Sequence, residues 1–164
     1  MLGKQLYLTR EGYDKLCEEV KYVRTTRRHE LAREIGAAIE KGDISENAEY
    51  DAAKDAQALN EARIVELEEK LSNARVIEDM NIASDKVYIG AVVKIKDLDT
   101  NETLERTLLS SEELDIERGR ISLSSPVGQG LLGHQVGDVV NIKIPDGTLK
   151  WEILEISRIN TGKK

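Results

Sequence analysis

The 164-residue sequence predicts an α+β protein. It reads as an antiparallel α-helical coiled-coil hairpin over residues 1–79 and a small antiparallel β domain with a short helix over residues 80–164. Three observations carry this reading. Composition shifts near residue 80, from Ala, Glu, Arg and Lys to Val, Ile, Leu and Gly. Before that point, apolar residues recur at helical spacing in two series on either side of Gly42. After it, short alternating segments separated by turn residues read as strands.

Charge narrows the function classes. The first 79 residues carry 13 Lys/Arg and 18 Asp/Glu, the remainder 11 and 13, for a net charge of −7. An acidic chain does not hold nucleic acid through its overall field, so any such contact needs a local basic patch. The single cysteine, Cys17, excludes an intramolecular disulfide. Residues 1–6 lack the apolar run of a signal peptide, and no segment approaches the ~20 apolar residues of a membrane span. A cytoplasmic protein without a membrane partner is expected.

The first helix starts at Thr9, an N-cap residue type, with Glu11 placed to complement the helix dipole. Tyr13, Leu16, Val20, Val23, Leu31, Ile35 and Ala38 then recur on one face. After the Gly42 break the series is Ala48, Ala52, Ala56, Ile64, Leu67, Leu71 and Ala74. The two series mirror each other: Tyr13 with Ala74, Leu16 with Leu71, Val20 with Leu67, Val23 with Ile64, Leu31 with Ala56 and Ile35 with Ala52 share one position sum. An antiparallel hairpin turning near residue 43 produces that symmetry. It also pairs Arg27 with Asn60, a polar layer able to fix register. About 32 residues at ~1.5 Å each make an arm of roughly 48 Å, longer than a small core requires. The hairpin is internally paired, so a monomer is expected.

At the turn, Gly42-Asp43-Ile44-Ser45-Glu46-Asn47-Ala48-Glu49-Tyr50 offers two readings. Asp43 and Glu46 have the spacing of a capping box, with Ser45 a competing N-cap. Alternatively, carboxylates three apart on a helix, with Cβ atoms roughly 5–6 Å apart, can share a metal ion. Mg²⁺ takes one or two protein carboxylates and completes its shell with water and phosphate. Spacing leaves both open.

Basic residues concentrate once in the first half, at Lys21, Arg24, Arg27, Arg28 and Arg33, with His29 nearby. They form either a solvated face paired with Glu30, Glu34 and Glu61 or a phosphate-contacting patch.

In the second half, Ala91–Lys96 alternates, Asp97–Asn101 turns and Thr103–Leu109 returns. Val140–Ile144, a Pro-Asp-Gly turn and Leu149–Ile153 make a hairpin. Ser125 as N-cap with Pro126 at the first helical position opens a short helix. Residues 78–86 read as a linker. Trp151 is expected in the core.

The tip motif, the following Ala52-Ala53-Lys54, and Ser125-Pro126-Val127-Gly128-Gln129-Gly130-Leu131-Leu132-Gly133 together resemble the bacterial Gre family of transcript-cleavage factors. Leu71-Ser72-Asn73-Ala74 and Gly137-Asp138-Val139-Val140 add weaker matches, and the resemblance covers nearly the whole chain. It implies an FKBP-like second domain that grips RNA polymerase, with Ser124, Ser125 and Pro126 as the contact. It also implies that the arm enters the polymerase's secondary channel. There Asp43 and Glu46 would help hold the second Mg²⁺ of the polymerase and orient the water that cuts backtracked RNA. Asn47, Glu49 and Tyr50 would support the tip, and Lys21, Arg24, Arg27, Arg28 and Arg33 would guide the RNA 3′ end. The factor would have no cofactor and no enzymatic activity of its own. His134 departs from the family pattern, which tends to have a basic residue there. Rival readings are a Gre-like inhibitor, a scaffolding coiled coil, and a prolyl isomerase.

Overall fold

The computed structural model describes residues 5–159. The chain packs as two units, one of Tyr13–Ala74 and one of Gln5–Gly12 with the residues from Arg75 onward. The division expected at residues 79 and 80 thus falls at Ala74 and Arg75, and the N-terminal segment joins the second unit. The cause lies in its partners. Strand β1 (Leu6–Leu8) pairs with β2 (Ala74–Val76), and Glu113 accepts a bond from the Thr9 N–H at 2.7 Å. Thr9 caps the first helix as expected, its Oγ1 accepting from the Gly12 N–H at 3.0 Å.

The first unit is the predicted hairpin. Helix α1 (Arg10–Lys21), a π-helical turn (Tyr22–Thr26) and α2 (Arg27–Glu40) form one limb, and α3 (Ala48–Ser72) returns. Leu16, Val20, Val23, Leu31 and Ala38 are buried on the outgoing limb, and Ala53, Asn60, Ile64 and Leu67 on the return. Most buried positions lie seven apart or divide that interval, but Val23 and Leu31 lie eight apart. The π turn absorbs the extra residue and keeps one apolar stripe along the limb. Two expectations need correction here. Arg27 does not pair with Asn60: its guanidinium lies 3.1 Å from Glu30, and Asn60 Nδ2 instead donates to the Val23 carbonyl at 2.9 Å. Near the turn the seam uses Ala53, while Ala52 and Ala48 are exposed, because Ala53 lies seven residues before Asn60.

The second unit is a five-stranded sheet in the order β5-β4-β3-β7-β6, built from β3 (Ala91–Asp97), β4 (Thr103–Leu109), β5 (Arg120–Ser122), β6 (Val139–Ile144) and β7 (Gly147–Arg158). Strands β4 and β5 run parallel, so the sheet is mixed rather than wholly antiparallel. Short helix α4 (Pro126–Leu131) supplies Leu131 to a core containing Val93, Ile95, Leu108, Ile142, Trp151 and Ile153. Trp151 is in the core as expected, with Nε1 3.3 Å from Asp97 Oδ2. The expected linker is tied down where it starts. Glu78 accepts the Arg10 N–H at 2.8 Å, and Arg158 donates to the Met80 carbonyl at 2.7 Å. Among the described residues, no helix is long and apolar enough to cross a membrane.

Candidate functional site

Helix α2 ends at a glycine. Gly42 has φ of 151°, a backbone conformation that residues with a side chain rarely adopt, and it turns the chain out of the helix. A single 3₁₀ turn (Ile44–Glu46) follows, and α3 begins after Asn47. Asn47 is the N-cap. Its Oδ1 accepts from the Tyr50 N–H at 3.0 Å, and its Nδ2 donates across the hairpin to the Ala38 carbonyl at 2.6 Å. One side chain therefore starts one helix and ties it to the last turns of the other.

That arrangement corrects the capping-box expectation. Neither Asp43, Glu46 nor Ser45 caps α3. Asp43 Oδ1 accepts from the Ser45 N–H at 3.0 Å and from Ser45 Oγ at 2.9 Å, a local turn that leaves Oδ2 open. These bonds favour the ionised form, so the Asp43 carboxyl sits below its ordinary value. The Glu46 side chain makes no hydrogen bond or ion pair among the described residues, and both acids are exposed. Glu49 is committed elsewhere. It pairs with Lys41 at 2.9 Å and, with Asp51, lies in the first turn of α3, where an acid complements the dipole. Tyr50 is half-buried, and its backbone N–H is the capped group.

The basic residues are largely engaged. Arg28 makes a two-pronged pair with Glu61, both bonds at 2.8 Å, which raises the arginine and lowers the glutamate from their ordinary values. Arg24 lies 3.3 Å from Glu68, and Arg27 lies 3.1 Å from Glu30 and 3.7 Å from Glu34. Lys21 and Arg33 make no ion pair among the described residues. Sequence reasoning anticipated Glu30, Glu34 and Glu61 as partners and missed Glu68. Its signal was a position seven residues after Glu61, on the same stripe of α3.

In the second unit, Ser125 caps α4, accepting from the Gly128 N–H at 3.0 Å, and Pro126 occupies the first turn. Exposed Ser124 shares a 2.8 Å hydroxyl contact with Ser122. Gly128 is required at its position, because a Cβ there would collide with the Ser122 carbonyl. His134 Nδ1 lies 3.1 Å from Asp138 Oδ2.

Residues 6–76 match the family model for the N-terminal part of transcription elongation factors, and residues 82–158 match the GreA/GreB C-terminal one. The chain is 47% identical over 154 residues to transcription elongation factor GreA of Clostridium novyi, covering 94% of this chain and 97% of that protein. Its counterpart in Chlorobium phaeobacteroides is 48% identical over 156 residues, with 94% and 98% covered. Among solved structures, the GreA factor homolog Gfh1 of Thermus thermophilus is 31% identical, covers 94% of this chain and 99% of that one, and gives a TM-score of 0.41. With both halves matched and near-full-length relatives approaching half identity, the chain belongs to the GreA/GreB family of transcription elongation factors.

Proposed function

We propose that this protein binds bacterial RNA polymerase and stimulates the polymerase's own Mg²⁺-dependent cleavage of backtracked RNA. It does so by presenting Asp43 and Glu46 at the end of the hairpin. The observation that carries this reading is the division of labour at the turn. Asn47 and the Lys41–Glu49 pair hold the structure, while Glu46 and one oxygen of Asp43 stay uncommitted. Fixed backbone beneath open carboxylates suits a group that must bind elsewhere.

The residues present fit a shared ion. Two hard oxygen donors suit Mg²⁺, which retains waters and takes few protein carboxylates. Among the described residues, no group of three or more His, Cys, Asp or Glu could hold a metal ion. The remaining ligands would come from the polymerase and the RNA. Such an ion lowers the pKa of bound water and stabilises negative charge on phosphate oxygens. Within this chain, Asp43 and Glu46 would supply ligand oxygens, Ser45 would keep Asp43 aimed, and Lys21, Arg24, Arg27, Arg28 and Arg33 would meet RNA phosphates. The protein would lend residues and act as a monomer, its hairpin paired with itself. Ser124, Ser125 and Pro126 form the candidate polymerase contact in the second unit.

Stalled, backtracked polymerase complexes with Mg²⁺ test this directly. Cleavage would be followed without factor, with the intact protein, and with Asp43→Ala/Glu46→Ala protein whose polymerase binding has been verified. Stimulation lost in the binding-competent variant is expected. Equal stimulation by both proteins, or none by the intact protein, would overturn the reading.

A further inference from the structure

The basic cluster of the arm does not stand as a fully open patch. Three of its five cations, Arg24, Arg27 and Arg28, face four carboxylates, Glu30, Glu34, Glu61 and Glu68. Two of these acids differ in kind from the others. Glu30 and Glu34 belong to the same helix as Arg27, within one and two turns of it, whereas Glu61 and Glu68 reach across from α3. They lie seven residues apart, so they share one stripe of that helix. Arg24 lies within the π turn and Arg28 just after it, and both extend toward that stripe. The Arg28 pair is two-pronged, the geometry in which a guanidinium binds carboxylate and phosphate alike. All four side chains remain about half exposed, so an incoming phosphate can reach the arginines without opening the seam.

Resting on the reading of the arm as RNA-contacting, we propose that Glu61 and Glu68 are specificity-determining residues that compete with RNA phosphates for Arg28 and Arg24. A phosphodiester must displace a carboxylate at each arginine, while Lys21 and Arg33 are available without exchange. RNA is therefore retained only where its phosphates can take both arginines together, and short or poorly placed 3′ segments are released. A displaced carboxylate stays beside its arginine and offsets part of the phosphate neutralisation, so fewer counterions leave the RNA for each arginine engaged. The two acids thereby flatten the salt dependence of RNA engagement.

The test uses full-length protein. Backtracked complexes are titrated with wild-type and Glu61→Gln/Glu68→Gln factor over a range of KCl concentrations, and the same acid changes are repeated on an Arg24→Ala/Arg28→Ala background. Exposed ion pairs are weak, so the half-maximal factor concentration should fall roughly two- to fivefold at low salt. The logarithmic salt slope should steepen by about 0.7 for each arginine freed, a change that altered folding alone does not produce. Both effects should vanish on the arginine-less background. Binding of a short oligouridylate to the polymerase-free proteins should show the same pattern, and it separates two failures. If wild-type factor stimulates no cleavage, the functional reading fails, and the oligouridylate titration still decides the competition. Unchanged affinity and slope in that titration, or equal gains with and without the arginines, would overturn the proposal.

Discussion

The turn of the hairpin and its middle handle charge in opposite ways. At the turn, structural work falls to neighbours: Asn47 caps α3 and bonds to the Ala38 carbonyl, and Lys41 holds Glu49. Asp43 and Glu46 are left exposed, one of them unpaired among the described residues. In the middle, Arg24, Arg27 and Arg28 each have a carboxylate within 4 Å. A ligand at the turn finds acids ready. A ligand in the middle must trade partners. Exposed charged residues can therefore differ in availability, and the difference lies in whether a partner of opposite charge already holds them.

The largest effect should come from the turn. Replacing Asp43 and Glu46 together by Ala should lower stimulated cleavage by at least the 10- to 100-fold seen when metal-ligand support is lost. The unfolding midpoint should not move resolvably, because neither side chain caps a helix. A large fall in that midpoint would mean that the acids do structural work after all, and the contrast with the middle would collapse. Next comes the middle of the seam. Asn60 is 8% exposed and donates to the Val23 carbonyl beside the π turn, so Asn60→Ala should cost about 1–3 kcal/mol in chemical denaturation. Cleavage per bound factor should then change far less than stability does. Asn47→Ala should cost about 1 kcal/mol through the lost cap and, unlike Asn60→Ala, should also weaken cleavage by loosening the loop that carries the acids. Equal activity in the two asparagine variants would show that anchoring at the turn is not what aims Asp43 and Glu46.

Much of this was readable from residue order. Apolar residues at helical spacing, mirrored about the turn, indicated the hairpin, Gly42 marked its turn, and alternation located β3, β4, β6 and β7. Most of the failures share a cause: they depend on partners distant in sequence. The eight-residue step from Val23 to Leu31 is visible in the sequence, but its resolution as a π turn rests on packing against α3, where Asn60 meets the freed limb. Long exposed side chains reach several partners at similar cost, so the position of Glu68 seven residues after Glu61 was not enough to single it out as the partner of Arg24. Three-residue strands such as β5 carry too little pattern to announce a parallel pairing. The N-cap was obscured by crowding, since Asp43, Ser45 and Asn47 are all capping residue types within five positions. Only the backbone path after Gly42 selects Asn47.

The smallest effect would test how Asp43 is kept ready. Both bonds that lower its pKa come from Ser45, one from the backbone and one from the hydroxyl. A carboxyl whose folded value is depressed gains those bonds fully above its unfolded value of about 3.9, and loses them as pH falls through the lower folded value. Ser45→Ala removes the hydroxyl bond and keeps the backbone one. The Asp43 titration midpoint, followed by carboxyl NMR, should therefore move up toward the ordinary range without reaching it. Cleavage near neutral pH lies far above either midpoint, so Asp43 stays ionised and any loss there reports aim rather than charge. An unchanged midpoint would mean that the hydroxyl bond does not hold Asp43 in solution. The carboxylate would then rotate freely at the turn, and the contrast between an aimed pair of acids and a traded set of cations would reduce to a difference in pairing alone.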